Sequence, residues 1–109
     1  MAGNYDILIE QGATFSLAIT VTGIDLTLYS ARGQGRTTHE SPDKAFTLST
    51  AIAYLSPNST ITVSLTATQT TALTAPSSGV YDVEYVSGSG LVVTRILEGS
   101  YRITPEVTR

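Results

Sequence analysis

Strict alternation of apolar and small polar side chains is what most limits the folds open to this chain. Phe15, Leu17, Ile19 and Val21 alternate with Ser16, Ala18, Thr20 and Thr22, and Ile61, Val63 and Leu65 alternate with Thr60, Thr62 and Ser64. Successive side chains of a strand point to opposite faces, so a period of two marks a strand with one face in a core and one outside it. A helix would scatter the same residues around its circumference. Tyr5, Ile7 and Ile9, set between Asp6, Leu8 and Glu10, give a first strand, and Gln11-Gly12-Ala13 separates it from the next as a turn or a kink.

Leu26 to Arg36 is a weaker strand whose alternate positions Tyr29, Ala31, Gly33 and Gly35 shrink toward its end; glycines inside a strand mark a bulge or a close backbone approach. Thr37 to Lys44 is polar, carries Pro42 and reads as a loop. Ala45 to Leu48 is a short strand, and Ala51 to Leu55 is either another strand or part of the loop before Ser56-Pro57-Asn58. Thr66-Ala67-Thr68-Gln69 has the spacing of a capping box and predicts one short helix ending before Pro76, held on the sheet through Ala67 or Leu73.

Val80 to Val86 and Leu91 to Leu97 flank Ser87-Gly88-Ser89-Gly90 as a hairpin. Pairing Val86 with Leu91 sets Tyr85 opposite Val92, Val83 opposite Thr94 and Tyr81 opposite Ile96, with Asp82 facing Arg95 on the other side. Gly99 breaks the run, Tyr101, Ile103 and Val107 continue it, and Pro105 marks an edge or the exit of the chain. Turn signals spaced about 8–12 residues apart argue for a sandwich or barrel. The predicted fold is all-β, an immunoglobulin-like antiparallel β-sandwich of about 7–8 strands with one short helix, formed by residues 1–109 as a single domain. Phe15, Leu17, Ile19, Val21, Ile61, Val63, Leu65, Tyr81, Val83 and Ile96 are expected to share its core.

Several chemistries lack the residues they need. The 109 residues include no cysteine, which excludes disulfides and thiolate metal sites. The net charge is −3 and Lys44 is the only lysine, so the basic stripe of a duplex-binding protein is missing and nucleic acid is not an expected partner. No apolar run approaches the ~18 residues of a spanning helix, so no membrane is expected. The first residues lack the features of a signal peptide, and the chain is expected to stay in the cytoplasm or in what assembles there. His39, the only histidine, lies beside Glu40 and near Asp43; with no further ligands at a metal-site spacing it reads as a solvated loop residue. Gly33-Gln34-Gly35 lacks the third glycine and the βαβ context of a dinucleotide site. No G-x-S-x-G elbow or paired carboxylates stand out. Asn58-Ser59-Thr60 matches a glycosylation sequon but reads as a turn. The expectation is a protein without enzymatic activity and without a cofactor. The six tyrosines could form a sugar-stacking platform, but several fall on the core-facing phase of strands.

Three stretches carry a resemblance. Tyr5 to Phe15 (YDILIEQGATF), Ile24 to Arg32 (IDLTLYSAR) and Thr94 to Arg109 (TRILEGSYRITPEVTR) resemble a group of small tailed-bacteriophage structural proteins, among them β-sandwich tail and baseplate proteins and the N-terminal domains of upper baseplate proteins. The resemblance implies a virion building block, assembled in the host cytoplasm in multiple copies per particle. Its role would be that of an adaptor between a receptor-binding fibre or spike and the baseplate core. Its implied partners are other virion structural proteins, whether baseplate, fibre or capsid subunits. The family carries no catalytic residues to transfer. A capsid decoration or cement protein is the near alternative, and a free carbohydrate-binding module the more distant one, against which the absence of tryptophan counts.

A docking face is expected on the final hairpin. In the register above, Val80, Val86, Leu91, Val93 and Leu97 surround the Asp82–Arg95 pair on the face away from the core. Charged residues make up only 14% of the chain, against about 25% in typical domains. Such a face is covered either by a partner or by the chain itself, through its N-terminal residues or the segment after Gly99.

Overall fold

The computed structural model describes residues 3–38, 40 and 44–106. His39, Pro42, Asp43 and Val107, named above, lie outside the described residues. The strands are β1 (Gly3–Asn4), β2 (Ile7–Glu10), β3 (Phe15–Val21), β4 (Ser30–Arg36), β5 (Phe46–Leu55), β6 (Asn58–Leu65), β7 (Ser77–Val86) and β8 (Val93–Thr104), with one helix, α1 (Ala67–Thr71), between β6 and β7. The all-β class and the single short helix are as the alternation and the capping box predict. The strands form one curled, mixed sheet in the order β1-β8-β7-β4-β5-β6-β3, with β2 also paired to β8.

The curl turns on β5. Its first residues pair with β4, Phe46 with Gly35 and Leu48 with Gly33, and from Ser49 onward it pairs with β6. Where β5 leaves β4, the Thr50 hydroxyl donates to the Ala31 carbonyl at 2.9 Å and satisfies a group that would otherwise lack a partner. Gly33 and Gly35 mark a close approach of side chains, Leu48 and Phe46, and not the bulge or close backbone approach expected from sequence. A Cβ on Gly35 would overlap the Phe46 ring, which lies across the strand there. The neighbour order β8–β7–β4 and β5–β6–β3 matches the G–F–C and D–E–B runs of an immunoglobulin-like domain. Because β5 belongs to both runs, the strands make one continuous sheet, and the predicted two-sheet sandwich is not confirmed.

The expectation of all-antiparallel pairing is corrected at the N-terminus. β2 runs parallel to β8, Ile7 beside Tyr101 and Ile9 beside Ile103, and β1 continues the same edge beside Leu97 and Glu98. The strand is interrupted at Tyr5-Asp6, where the chain crosses Gly99 so closely that a Cβ there would overlap the Tyr5 carbonyl. The Asp6 carboxylate accepts from the Ser100 N–H at 3.1 Å, and that bond holds it below the ordinary aspartate range. Gly99 therefore does not end β8; it admits the neighbouring strand.

The hairpin register is also corrected. Val86 pairs with Val93, Tyr85 with Thr94 and Glu84 with Arg95, two residues on from the predicted alignment. Ser87 N–H donates to the Val92 carbonyl and the Ser87 hydroxyl accepts from Val92 N–H, so the serine extends the pairing beyond Val86–Val93 and moves the connection to Gly88–Leu91. A bulge between Val83 and Glu84 then brings Val83 opposite Leu97 and Tyr81 opposite Gly99. One extra residue reverses the facing of everything beyond it. Leu97, expected on the outer face, consequently packs against the core together with Ile96.

Ile7, Ile9, Leu26, Phe46, Leu48, Ile61, Val63, Leu65, Tyr81, Val83, Tyr101 and Ile103 form the buried core, and Phe15, Leu17, Ile19, Val21 and Ile96 pack half-buried against it. In the capping box, Thr66 Oγ1 accepts from Gln69 N–H and Gln69 Oε1 accepts from Thr66 N–H. The helix is fixed by the buried Thr70, whose hydroxyl binds the Ala13 carbonyl and accepts from Gly12 N–H, with Leu73 packing beside it and Ala67 left exposed.

Tyr81 makes stability depend on alkaline pH. Its hydroxyl donates to the Tyr5 carbonyl, and burial, reinforced by Asp6 and Tyr5, pushes the phenol up from 10.0 to about 12. The folded value lies above the unfolded one, so the stabilisation is complete below about pH 10 and is lost as pH rises toward about 12. Unfolding free energy measured in urea should fall across that window. Tyr81→Phe should remove the part of the fall due to this phenol, while Tyr101, also raised by burial, retains its own. An unchanged pH profile in Tyr81→Phe would contradict this assignment.

Candidate interaction surface

Two surfaces stand apart from the core. The first is a polar trough of about 570 Å³ on the outer face of β4, β7 and β8, lined among others by Asn4, Asp6, Gln34, Arg36, Val80, Asp82 and Glu98. Its charges are tied to one another. Arg32 pairs with Glu84, and Arg95 lies 3.4 Å from Asp82 and 3.9 Å from Glu98. The register sets Asp82 directly opposite Glu98, and like charges so placed repel; Arg95, reaching diagonally, sits between them. Burial pushes the Asp82 carboxyl up, Arg95 opposes the rise, and Glu84 and Glu98 add to it. The predicted Asp82–Arg95 ion pair thus forms, but across a diagonal. Among the described residues no group of three or more His, Asp or Glu side chains is placed to hold a metal ion.

The second surface is apolar and lies at one end of the sheet. The segment between β3 and β4, the β5–β6 turn and the β7–β8 connection meet there. Gly23 N–H donates to Asn58 Oδ1 at 3.2 Å, Ser30 pairs with Val86, and the Leu28 carbonyl lies against Gly88. Leu28 and Leu91 are 83% and 86% exposed, Val92 and Val93 about half exposed, and Leu55 on the neighbouring turn is 84% exposed.

Local hydrogen bonding puts these side chains outward. Asp25 accepts from both the N–H and the hydroxyl of Thr27, which holds its carboxylate below the ordinary range. Tyr29 N–H closes a turn on the Leu26 carbonyl at 2.9 Å. Ladder bonding therefore begins at Ser30 and not at Leu26 as predicted; Leu26 points into the core and Leu28 to solvent. In the other loop Gly90 takes φ 79°, and Gly90 N–H donates to the Ser87 carbonyl. Leu91 follows it, outside the strand.

The five residues predicted for the docking face divide. Leu91 and Val93 are exposed at this end, Val80 and Val86 are half-buried on β7, and Leu97 belongs to the core side. Leu28, Leu55 and Val92 were not predicted. An Asx turn at Asp25-Leu26-Thr27 was the available signal for Leu28. Tyr29 meets Tyr85 and Phe46 meets Tyr101 edge-on, both at 74°, so these rings do not stack as a flat platform. Among the described residues no helix is long and apolar enough to cross a membrane. The chain matches no known protein-family model and no curated protein.

Proposed function

We propose that this protein is a non-enzymatic structural component of a tailed-phage virion, an adaptor of the tail or baseplate, and that its apolar end docks on a neighbouring subunit. The phage assignment rests on the resemblance of the three stretches quoted above. The observation that supports docking is the exposure of Leu28, Leu91, Val92 and Val93 at one end of the sheet, where the Leu28 carbonyl lies against Gly88. Burying such a side chain is worth about 1.5–3 kcal/mol, and grouped exposed apolar side chains mark interaction sites far more strongly than single ones. The loops are braced by their own hydrogen bonds, so docking would not first have to order them.

Leu91→Glu and Val93→Glu test this. Leu91→Glu should change the unfolding free energy of the isolated protein by no more than about 0.5 kcal/mol, as for surface positions generally. In particles produced by the phage that encodes the chain, both variants should be depleted relative to wild type, as read by mass spectrometry of purified virions. Wild-type incorporation of both would remove the apolar end from assembly. Absence of the wild-type protein from particles would overturn the virion reading itself.

A further inference from the structure

The two terminal strands of the sheet order are unlike. The edge made by β1 and β2 carries the features that keep strands from pairing with other molecules: it is short, broken at Tyr5-Asp6, and bears Asp6 and Glu10. The opposite edge, β3, has none of them. Its seven residues, FSLAITV, include no charge, proline or glycine. They pair with β6 in unbroken register from Phe15–Leu65 to Val21–Ser59. Among the described residues β3 has no other strand partner, and no loop bonds to its backbone.

The inner side chains of β3 are also incompletely covered. Phe15, Leu17, Ile19 and Val21 are each half-buried, whereas Leu65, Val63 and Ile61 across the ladder are fully buried. Among the described residues β3 is flanked by a strand on one side only.

We infer that β3 pairs with β3 of a second copy of this chain, antiparallel about a two-fold axis through Ala18. In this arrangement directly opposed residues must lie on the same face of both sheets, so only even register shifts are allowed. The register centred on Ala18 is the one that uses all seven residues. It sets Phe15 against Val21 and Leu17 against Ile19 on the inner face, and Ser16 against Thr20 and Ala18 against Ala18 outside. Apolar meets apolar, small meets small, and no charge is opposed or buried. The strand is thus complementary to itself, and a two-fold contact of this kind closes at a dimer. The short, broken β1–β2 edge does not offer a second contact of this kind. This inference stands on the edge alone and does not depend on the virion reading.

Sedimentation velocity on the full chain over a concentration series tests it. Wild type should show a monomer–dimer equilibrium. Ala18→Lys, which places two like charges across the axis, should weaken the dimer by about tenfold or more. Two double variants separate register from mere tolerance. Ser16→Lys with Thr20→Glu sets opposite charges against each other and should dimerise within about threefold of wild type. Ser16→Lys with Thr20→Lys should lose about tenfold or more. Both alter the same exposed positions, so equal circular dichroism spectra show that the monomer fold is kept. A wild-type protein that stays monomeric throughout would overturn the inference. So would a dimer indifferent to all three variants, or one weakened equally by both doubles.

Discussion

Replacing Tyr101 with Ala is expected to lower the unfolding free energy by about 3–5 kcal/mol, the range for deleting a buried aromatic ring. Domains of ordinary stability hold only about 5–15 kcal/mol in total, so the variant should sit close to its unfolding threshold. Tyr101 is 2% exposed and lies on β8 between Gly79 of β7 and Ile7 of β2. Its ring meets Phe46 of β5 edge-on at 4.9 Å. Truncation would therefore open a cavity where the parallel N-terminal strand, the hairpin and the strand that curls the sheet all meet. Phe15→Ala removes a ring that is only half-buried and should cost clearly less. Urea unfolding of the two variants side by side is the measurement. A loss below about 1 kcal/mol for Tyr101→Ala, or a larger loss for Phe15→Ala, would show that the core is centred elsewhere.

That contrast shows what alternation can and cannot convey. A period of two identifies a strand and its inward residues, and it correctly assigned Phe15 to Val21, Ile61 to Leu65 and the core phase of Tyr81 and Val83. It says nothing of which strand lies beside which. The parallel contact of Ile7 and Ile9 with Tyr101 and Ile103 joins opposite ends of the chain, so Phe15 looked more central than Tyr101. The β7–β8 hairpin was recognisable from its two apolar runs, but its register was not. Ser87 bonds to Val92 through both backbone and hydroxyl, and the bulge inserts Ile96; neither leaves a mark on the apolar pattern. The docking residues followed from that register. Leu91 and Val93 survived the shift because two residues preserve the face, whereas Leu97, beyond the bulge, did not. The capping box of Thr66 and Gln69 was legible in full because its logic is local.

The apolar end depends in turn on a buried hydroxyl. Ser59 is fully buried on β6, where its hydroxyl donates to the Ile24 carbonyl at 2.8 Å and accepts from Leu26 N–H at 2.9 Å. These two bonds fasten the segment between β3 and β4 to the sheet, with Leu26 in the core and Leu28 turned outward. Ser59→Ala removes a small volume but takes the acceptor from the buried Leu26 N–H and the donor from the part-buried Ile24 carbonyl. Losing the partner of a buried amide costs about 1–3 kcal/mol and the less buried carbonyl adds a smaller amount, so the expected destabilisation is about 2–3 kcal/mol. Ser64→Ala is the control: the same strand, the same substitution, but a half-buried position on the alternate phase, where the change should stay within about 0.5 kcal/mol. Native-state hydrogen exchange adds a readout specific to the mechanism. In Ser59→Ala the Leu26 amide should exchange faster by more than the global loss of stability accounts for, because its acceptor is gone while the β6 ladder remains. On the docking reading, Ser59→Ala should also deplete the protein from particles under conditions where it is still folded, since the segment that carries Leu28 would no longer be fastened to β6. A Leu26 amide as protected in Ser59→Ala as in wild type would mean that the segment is held by something other than Ser59.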